Sequence, residues 1–355
     1  MYIVDDLFFL IEAGSVLVWN YKNHQQYILE TDYFLELLQL SKTNNPQNES
    51  ICKELLEANL ITDTPNQSNK WGWDVLSRIF HFGTQNAGSA TLDVDPIGYT
   101  KNYLDQCNKI QNTIPSLFAE REGPLLELPE PEISLLDTMS FLSVLKKRKT
   151  SRAFNSEKIS LKEFSLILYC SFGLIHGGWE ELARLGLMQT GIRKASPSSG
   201  GLHSEEAYVV VYRVDGLEQG LYHYRPQDHK LTQLREGDFE KQTIRMNYNQ
   251  FFSEGLSFGV YLAVRLEKIW WKYKHSRSYR GALLDMGHVS QNFLVVSTAL
   301  ELQTWMTAAF HDSQVESFLG IDGCKESVIL FVGVGKGTNQ AIPEVMREQL
   351  KKRNK

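Results

Sequence analysis

Two short runs near the start of the chain, Ser15–Asn20 and 26–29, are rich in apolar residues and predict β-strands, with the polar segment 21–25 as the turn between them. Thr31 or Asp32 then caps a helix whose apolar face is Phe34, Leu35, Leu37 and Leu38, and residues 49–60 repeat that spacing with Ile51, Leu55 and Leu56. Residues 41–48 between them are polar and predict a loop. Next, 65–95 reads as a polar bridge flecked with Trp71, Trp73, Phe80, His81 and Phe82, and a helix is expected around 103–110. Prolines at 124, 129 and 131 follow Gly123 closely, the composition of an extended strap rather than a packed element. After Ser140 helical and strand patterns alternate: a helix through Lys147, another over Leu161–Phe172, strands over 207–212 and 256–266, a helix over 284–300 apolar on most faces, and a buried strand over 328–334.

That alternation predicts a mixed α+β domain. The chain divides into an N-terminal module and bridge over 1–95, a linker with the proline strap over 96–134, the α+β domain over 135–340, and a basic tail over 341–355 whose end, 351–355, is expected to fray. Two strands and two helices at the start are the content of a small winged-helix-like module. At 355 residues with 42% hydrophobic and 22% charged positions, the chain builds a real core, which excludes a disordered or fibrous protein. Its 37 Lys+Arg and 42 Asp+Glu give a net charge of −5, so no global positive field draws it to nucleic acid or anionic membrane, and any anion site must be local. No uninterrupted apolar run approaches a membrane span, and Asp5 and Asp6 stand where a signal peptide needs basic residues. Cys52, Cys107, Cys170 and Cys324 lie far apart without a CxxC pair, and His176, His223, His229 and His311 show no ligand spacing, so no metal site and a reducing, cytoplasmic location are expected.

Three segments can carry chemistry. Lys146 to Phe154 packs Lys146, Lys147, Arg148, Lys149 and Arg152 with Thr150 and Ser151 at a helix end, a donor set for phosphate; on composition alone a solvated turn is the favoured reading of such a charge run. Lys194 to His203 is a small, polar, glycine-containing loop whose amides can approach a flat ring or an anion, or simply connect helix to strand. The third runs from Trp271 through Lys272, Tyr273 and Arg280 to Asp285, Gly287, His288, Gln291 and Asn292. A lysine beside a tyrosine can lower the phenol's pKa and make it a usable base.

In order and spacing these three segments resemble the FMN-dependent nitroreductase superfamily. Within it, the chain is similar to the SagB-type azoline dehydrogenases of thiazole/oxazole-modified peptide biosynthesis. The residues that carry this are Pro197 to Leu202, Gly220 to Tyr224 with His229, Lys272 with Tyr273, Tyr279 with Arg280, Gly287 with His288, and Gln291 with Asn292, within a match over about 135–338. The resemblance implies a nitroreductase-like α+β fold, a central mixed, mainly antiparallel sheet flanked by helices, forming a homodimer. It implies that Arg148, Lys149, Thr150 and Arg152 hold the FMN phosphate and ribityl chain with Gly335 and Lys336, that Pro197, Ser198, Ser199 and Gly200 line the isoalloxazine, and that the turn at Ala308 and Ala309 approaches its N5 edge. Thr150 stands where the family has Ser, Lys149 where it has Arg or His, and His203 where the branch commonly has Tyr.

The function implied is oxidation of thiazoline or oxazoline rings in a ribosomally made precursor peptide, alongside a cyclodehydratase, with dioxygen reoxidising the flavin. Tyr273 is the expected base and Lys272 its partner. The N-terminal module would capture a leader segment by strand addition or extend the dimer interface. An NAD(P)H-dependent nitro or quinone reductase and a non-catalytic scaffold are the alternatives.

Overall fold

The computed structural model describes residues 1–65, 71–86, 95–185, 190, 192–338 and 340–353. They fall into two compact units, Met1–Asp93 with His275–Arg277, and Val94–Lys274 with Ser278–Lys355.

In the first unit β2 (Leu7–Glu12), β3 (Ser15–Asn20) and β4 (Gln25–Leu29) form an antiparallel sheet in the order β2-β3-β4, and β1 (Tyr2–Ile3) pairs with β5 (Ile61–Thr62). Helices α1 (Thr31–Thr43), α2 (Glu49–Glu57) and α3 (Val75–Gly83) complete it. The Asn48 side chain accepts from Ser50 and Ile51 N–H and starts α2; Asp74 caps α3 through Ser77 N–H. Val18, Leu37, Leu40, Cys52, Leu55 and Leu60 make the core between sheet and helices. The bridge expected over 65–95 therefore contains a capped helix, and strand β2 was not among the expected elements.

The second unit runs α4 (Pro96–Ile110), β6 (Leu125–Glu127), α5 (Phe141–Lys147), α6 (Leu161–Phe172), α7 (Glu180–Arg184), β7 (Glu205–Val211), β8 (Gly220–Arg225), β9 (Lys230–Glu236), α8 (Glu240–Met246), β10 (Phe258–Arg265), α9 (Leu266–Lys272), α10 (Ser278–Ala299), β11 (Gln303–Thr307), α11 (Asp312–Leu319), β12 (Glu326–Gly335) and α12 (Glu344–Arg353). Its seven-stranded sheet has the order β11-β12-β10-β7-β8-β9-β6 with every pairing antiparallel; parallel bridges Thr150 to Thr304 and Ile159 to Val214 add the mixed character. This is the α+β class that the alternation predicts. All eight residues of β10 are buried because both faces are covered. Phe258, Val260, Leu262 and Val264 join α6 and α10 residues Phe164, Leu168 and Phe293 on one side, while Tyr261 and Ala263 meet Trp305, Phe318 and Phe331 on the other. Each Val, Leu or Phe side chain among these contributes about 1.5–3 kcal/mol on burial.

The proline strap differs from expectation. Leu125 and Leu126 pair with Thr232 and Leu231 of β9, so it ends the sheet as an edge strand. Pro124 and Pro129 lie outside the paired residues, where their missing N–H groups cost nothing. Beyond it, Ser165 Oγ donates to the Pro129 carbonyl at 2.6 Å and so accepts from His229 Nε2 at 2.7 Å. That leaves His229 Nδ1 to accept the Tyr224 hydroxyl at 2.8 Å. Helix α12 reaches Arg353, so residues 351–353 of the expected frayed tail are helical. Among the described residues no helix is long and apolar enough to cross a membrane.

Candidate functional site

The residues named from sequence gather in two groups that share α10. The first lies along β11. Arg148 ends α5; Thr150 then bridges Thr304, and Ser151 N–H donates to the Thr304 carbonyl at 2.9 Å. On its other side Arg152 N–H donates to Gln340 O at 2.7 Å, and Asn155 N–H to Lys336 O at 3.1 Å, which brings Lys336 and Gly335 at the end of β12 beside the cationic segment. The Arg152 guanidinium is already engaged: it donates to Ala341 O at 2.9 Å and lies over Phe252. Lys336 Nζ is 3.9 Å from Glu157. Arg148, Lys149 and Thr150 side chains, by contrast, have no hydrogen-bond or ion-pair partner among the described residues. Two cations and a hydroxyl with unspent donors suit the phosphate of the FMN that the resemblance implies. The Ala308–Ala309 turn follows β11 and is exposed. Gln250, which the sequence reading missed, buckles it by donating to Ala309 O at 2.8 Å and Thr307 Oγ1 at 3.2 Å.

The second group is built from the loop after Ile192 and the ends of α9 and α10. Lys272 is the last residue of α9 and Tyr273 its C-cap, whose N–H donates to Ile269 O at 2.9 Å. Both side chains reach Gly200. Lys272 Nζ donates to its carbonyl at 3.0 Å, and a Cβ at this position would stand 2.3 Å from Tyr273 Oη. With φ at +62°, Gly200 meets two demands that only glycine satisfies together. Ser198 Oγ accepts His203 N–H at 2.9 Å and donates to Asp285 at 3.0 Å, while Asp285 also accepts Ser199 N–H at 2.8 Å and Ser199 Oγ at 3.0 Å. Asn292 donates to Ser196 Oγ at 2.9 Å. Gly287, His288 and Gln291 of the same signature are exposed on α10.

Electrostatics reverse one expectation. Burial pushes the Tyr273 hydroxyl above its ordinary pKa, with Asp285 adding to the rise, and burial pulls the Lys272 ammonium down. Burial, and not the neighbouring lysine, thus sets the direction of the Tyr273 shift, opposite to the expected lowering. Behind the loop, His203 is held at φ +44° with its carbonyl accepting Lys268 Nζ at 3.0 Å. Burial drives His203 down to about 4 and Lys268 to about 8, beside the buried Lys194–Glu205 ion pair at 2.9 Å. On α4, Tyr99, Tyr103 and Cys107 share one face by their four-residue spacing, and Tyr99 and Cys107 act electrostatically on Tyr273. The sequence predicts only its second half, around 103–110, within the linker.

Helix α10 packs against α5, β11 and β12 as well as the 199–201 turn, so one element carries both groups. The nitroreductase family profile matches residues 145–336, more than half of the chain. MJ1384 of Methanocaldococcus jannaschii, a protein named for the nitroreductases, is 28% identical over 214 residues, covering 60% of this chain and 98% of that one. The trifolitoxin-processing protein TfxB of Rhizobium leguminosarum bv. trifolii is 29% identical over 237 residues, 64% of this chain and 61% of its own length. The microcin B17-processing protein McbC of Escherichia coli is 26% identical over 138 residues, 37% of this chain and 50% of its own. The chain thus spans less than two thirds of these two peptide-processing relatives. By the profile match across its sheet, its cationic segment and its Lys272–Tyr273 pair, the chain belongs to the nitroreductase family.

Proposed function

We propose that this protein is an FMN-dependent dehydrogenase that oxidises thiazoline or oxazoline rings of a ribosomally made peptide to thiazole or oxazole, with dioxygen as the final acceptor. The convergence of Lys272 and Tyr273 on Gly200, within the loop expected to line the isoalloxazine, carries this reading. TfxB and McbC, both named for processing peptides, support a peptide substrate.

When bound, FMN supplies the acceptor for a hydride. Arg148, Lys149 and Thr150 would hold its phosphate, with Lys336 and Arg152 nearby, and Pro197, Ser198, Ser199 and Gly200 its ring. An azoline must lose a proton from the carbon next to the one that loses hydride. Lys272 takes that proton: burial disfavours its charged form and so brings the amine with its electron pair within easier reach than in an exposed lysine. Tyr273 keeps its own proton under the raised pKa and orients the ring as a hydrogen-bond donor. This exchanges the roles expected from sequence.

Strand β4 is an edge of its sheet, and a cavity of about 280 Å³ lies against it, lined by Tyr27, Leu29, Glu30, Tyr33, Glu54 and Leu60 among others. An extended leader segment would add to that edge, its side chains entering the cavity. Phe141 and Leu142 on α5 and Leu283 and Leu284 on α10 are exposed large apolar side chains, which supports a homodimer.

The test is incubation of the purified protein with an azoline-containing peptide under air, without NAD(P)H, followed by mass analysis. Flavin absorption with loss of two hydrogens per ring is expected. Bound flavin that is reduced only by NAD(P)H assigns a nitro or quinone reductase instead, and protein that binds no flavin is a scaffold.

A further inference from the structure

Asp285 sits on α10 with 2% of its surface exposed, and no described residue forms an ion pair with it. A carboxylate buried without a cation costs several kcal/mol unless hydrogen bonds hold its charge. Part of that cost is offset here: Ser198 Oγ, Ser199 Oγ and Ser199 N–H all donate to it, the last at 2.8 and 3.1 Å to its two oxygens, and these donors oppose the burial that raises the Asp285 pKa above its ordinary value. The helix is shaped around that contact. Gly281 lies one turn before Asp285, and a Cβ there would stand 2.6 Å from Ser199 Oγ, so the loop reaches the carboxylate only because the side chain at 281 is missing. Asn292 continues the same helical stripe by holding Ser196.

An asparagine at 285 would offer one acceptor oxygen instead of two and would still pack. Ser198 Oγ already accepts from His203 N–H, so a second donor from an amide would leave its own proton without the acceptor it now has. What the carboxylate adds beyond this clamp is negative charge directly behind Ser198 and Ser199.

We propose that Asp285 is the positioning residue of the cofactor loop and that its uncompensated charge keeps the two-electron reduction potential of FMN held there low. The inference rests on the FMN assignment above. A fixed negative charge opposes electron uptake by a nearby redox group in a low-dielectric setting. A low potential suits a flavin that draws its electrons from an aromatising ring and passes them to dioxygen, since it favours the second transfer while aromatisation drives the first.

The experiment is a spectroelectrochemical titration of the purified full-length flavoprotein, with FMN affinity measured by fluorescence, on the wild type, D285N and S199A. D285N is expected to shift the reduction equilibrium toward reduced flavin about tenfold, ~30 mV for a two-electron couple, and to weaken FMN binding about tenfold. S199A keeps the charge, so its affinity falls while its potential does not rise. Should D285N fail to fold, the S198A/S199A double variant strips the hydroxyl donors from a retained charge and is expected to lower the potential. An unchanged potential in D285N, an equal rise in S199A, or an unchanged or raised potential in the double variant overturns the proposal while leaving the dehydrogenase reading intact. Wild-type protein without flavin removes both.

Discussion

Lys272 and Gly200, seventy-two positions apart in the chain, meet at 3.0 Å, the side-chain nitrogen of the first donating to the backbone carbonyl of the second. The contact ties the end of a helix to the one loop residue with no room for a side chain. Gly200→Ala would set a Cβ 2.3 Å from Tyr273 Oη in a left-handed backbone conformation, costing about 1–2 kcal/mol before any clash. The variant should retain its fold by circular dichroism and lose turnover at least about a hundredfold.

Lys272→Met should cost roughly 10²–10⁴-fold in kcat, the usual worth of general acid–base catalysis, while Tyr273→Phe costs less. Because burial lowers the Lys272 pKa from 10.5, kcat/KM of the wild type should rise with pH along a limb centred below 10.5. Tyr273→Phe should keep that limb and Lys272→Met should lose it. A pH profile unchanged by Lys272→Met would return the base to Tyr273.

At the other group, Arg148→Ala and Lys149→Ala each remove an unspent cation, and FMN affinity should fall about tenfold or more per variant, as for charge-assisted hydrogen bonds of 1.5–3 kcal/mol. Arg152→Ala should instead lower the melting temperature, since its guanidinium holds Ala341 O and covers Phe252. Fluorescence titration and calorimetry separate the two effects.

Burial lowers the pKa of both His203 and His229, the former to about 4, so the folded chain binds fewer protons there than the unfolded chain. Their stabilisation is present above the unfolded value near 6.5 and is lost as the pH falls toward 4. His203 alone accounts for up to about 3 kcal/mol. His229→Phe should flatten part of the decline in melting temperature from pH 6.5 downward, at the expense of the bonds to Ser165 and Tyr224.

For the N-terminal unit, Glu30→Lys and Glu54→Lys change the charge of the cavity beside β4. Both should raise KM for a full precursor and leave KM for a short azoline peptide as it was. Equal effects on the two substrates would assign the cavity to something other than a leader.

Helix α6 was legible to the residue because Ser160 and Glu163 form a complete capping box ahead of an apolar run. Asp95 followed by Pro96 was an equally good start signal for α4, yet the polar surface of Pro96–Ile110 hid its length. Strands β8, β9 and β11 were not named as strands: Gly220–Arg225 was read as a motif, and polar residues interrupt Gln303–Thr307. Of the candidate site, residue types and their order pointed to Arg148, Ser198 and Lys272. The sequence could not single out Asp285, because its partners lie 86 and 87 positions away and only the folded chain joins them. Nor could local reading foresee the pKa order of Lys272 and Tyr273, which burial decides.

Strand β10 passes into α9 without an intervening residue, so the Lys272–Tyr273 pair hangs from an interior, fully buried strand of the sheet. Amide protons of β10, paired on both sides and covered on both faces, should be among the slowest in the unit to exchange with solvent. The Lys272–Tyr273 half of the site is therefore anchored in the part of the unit expected to open last.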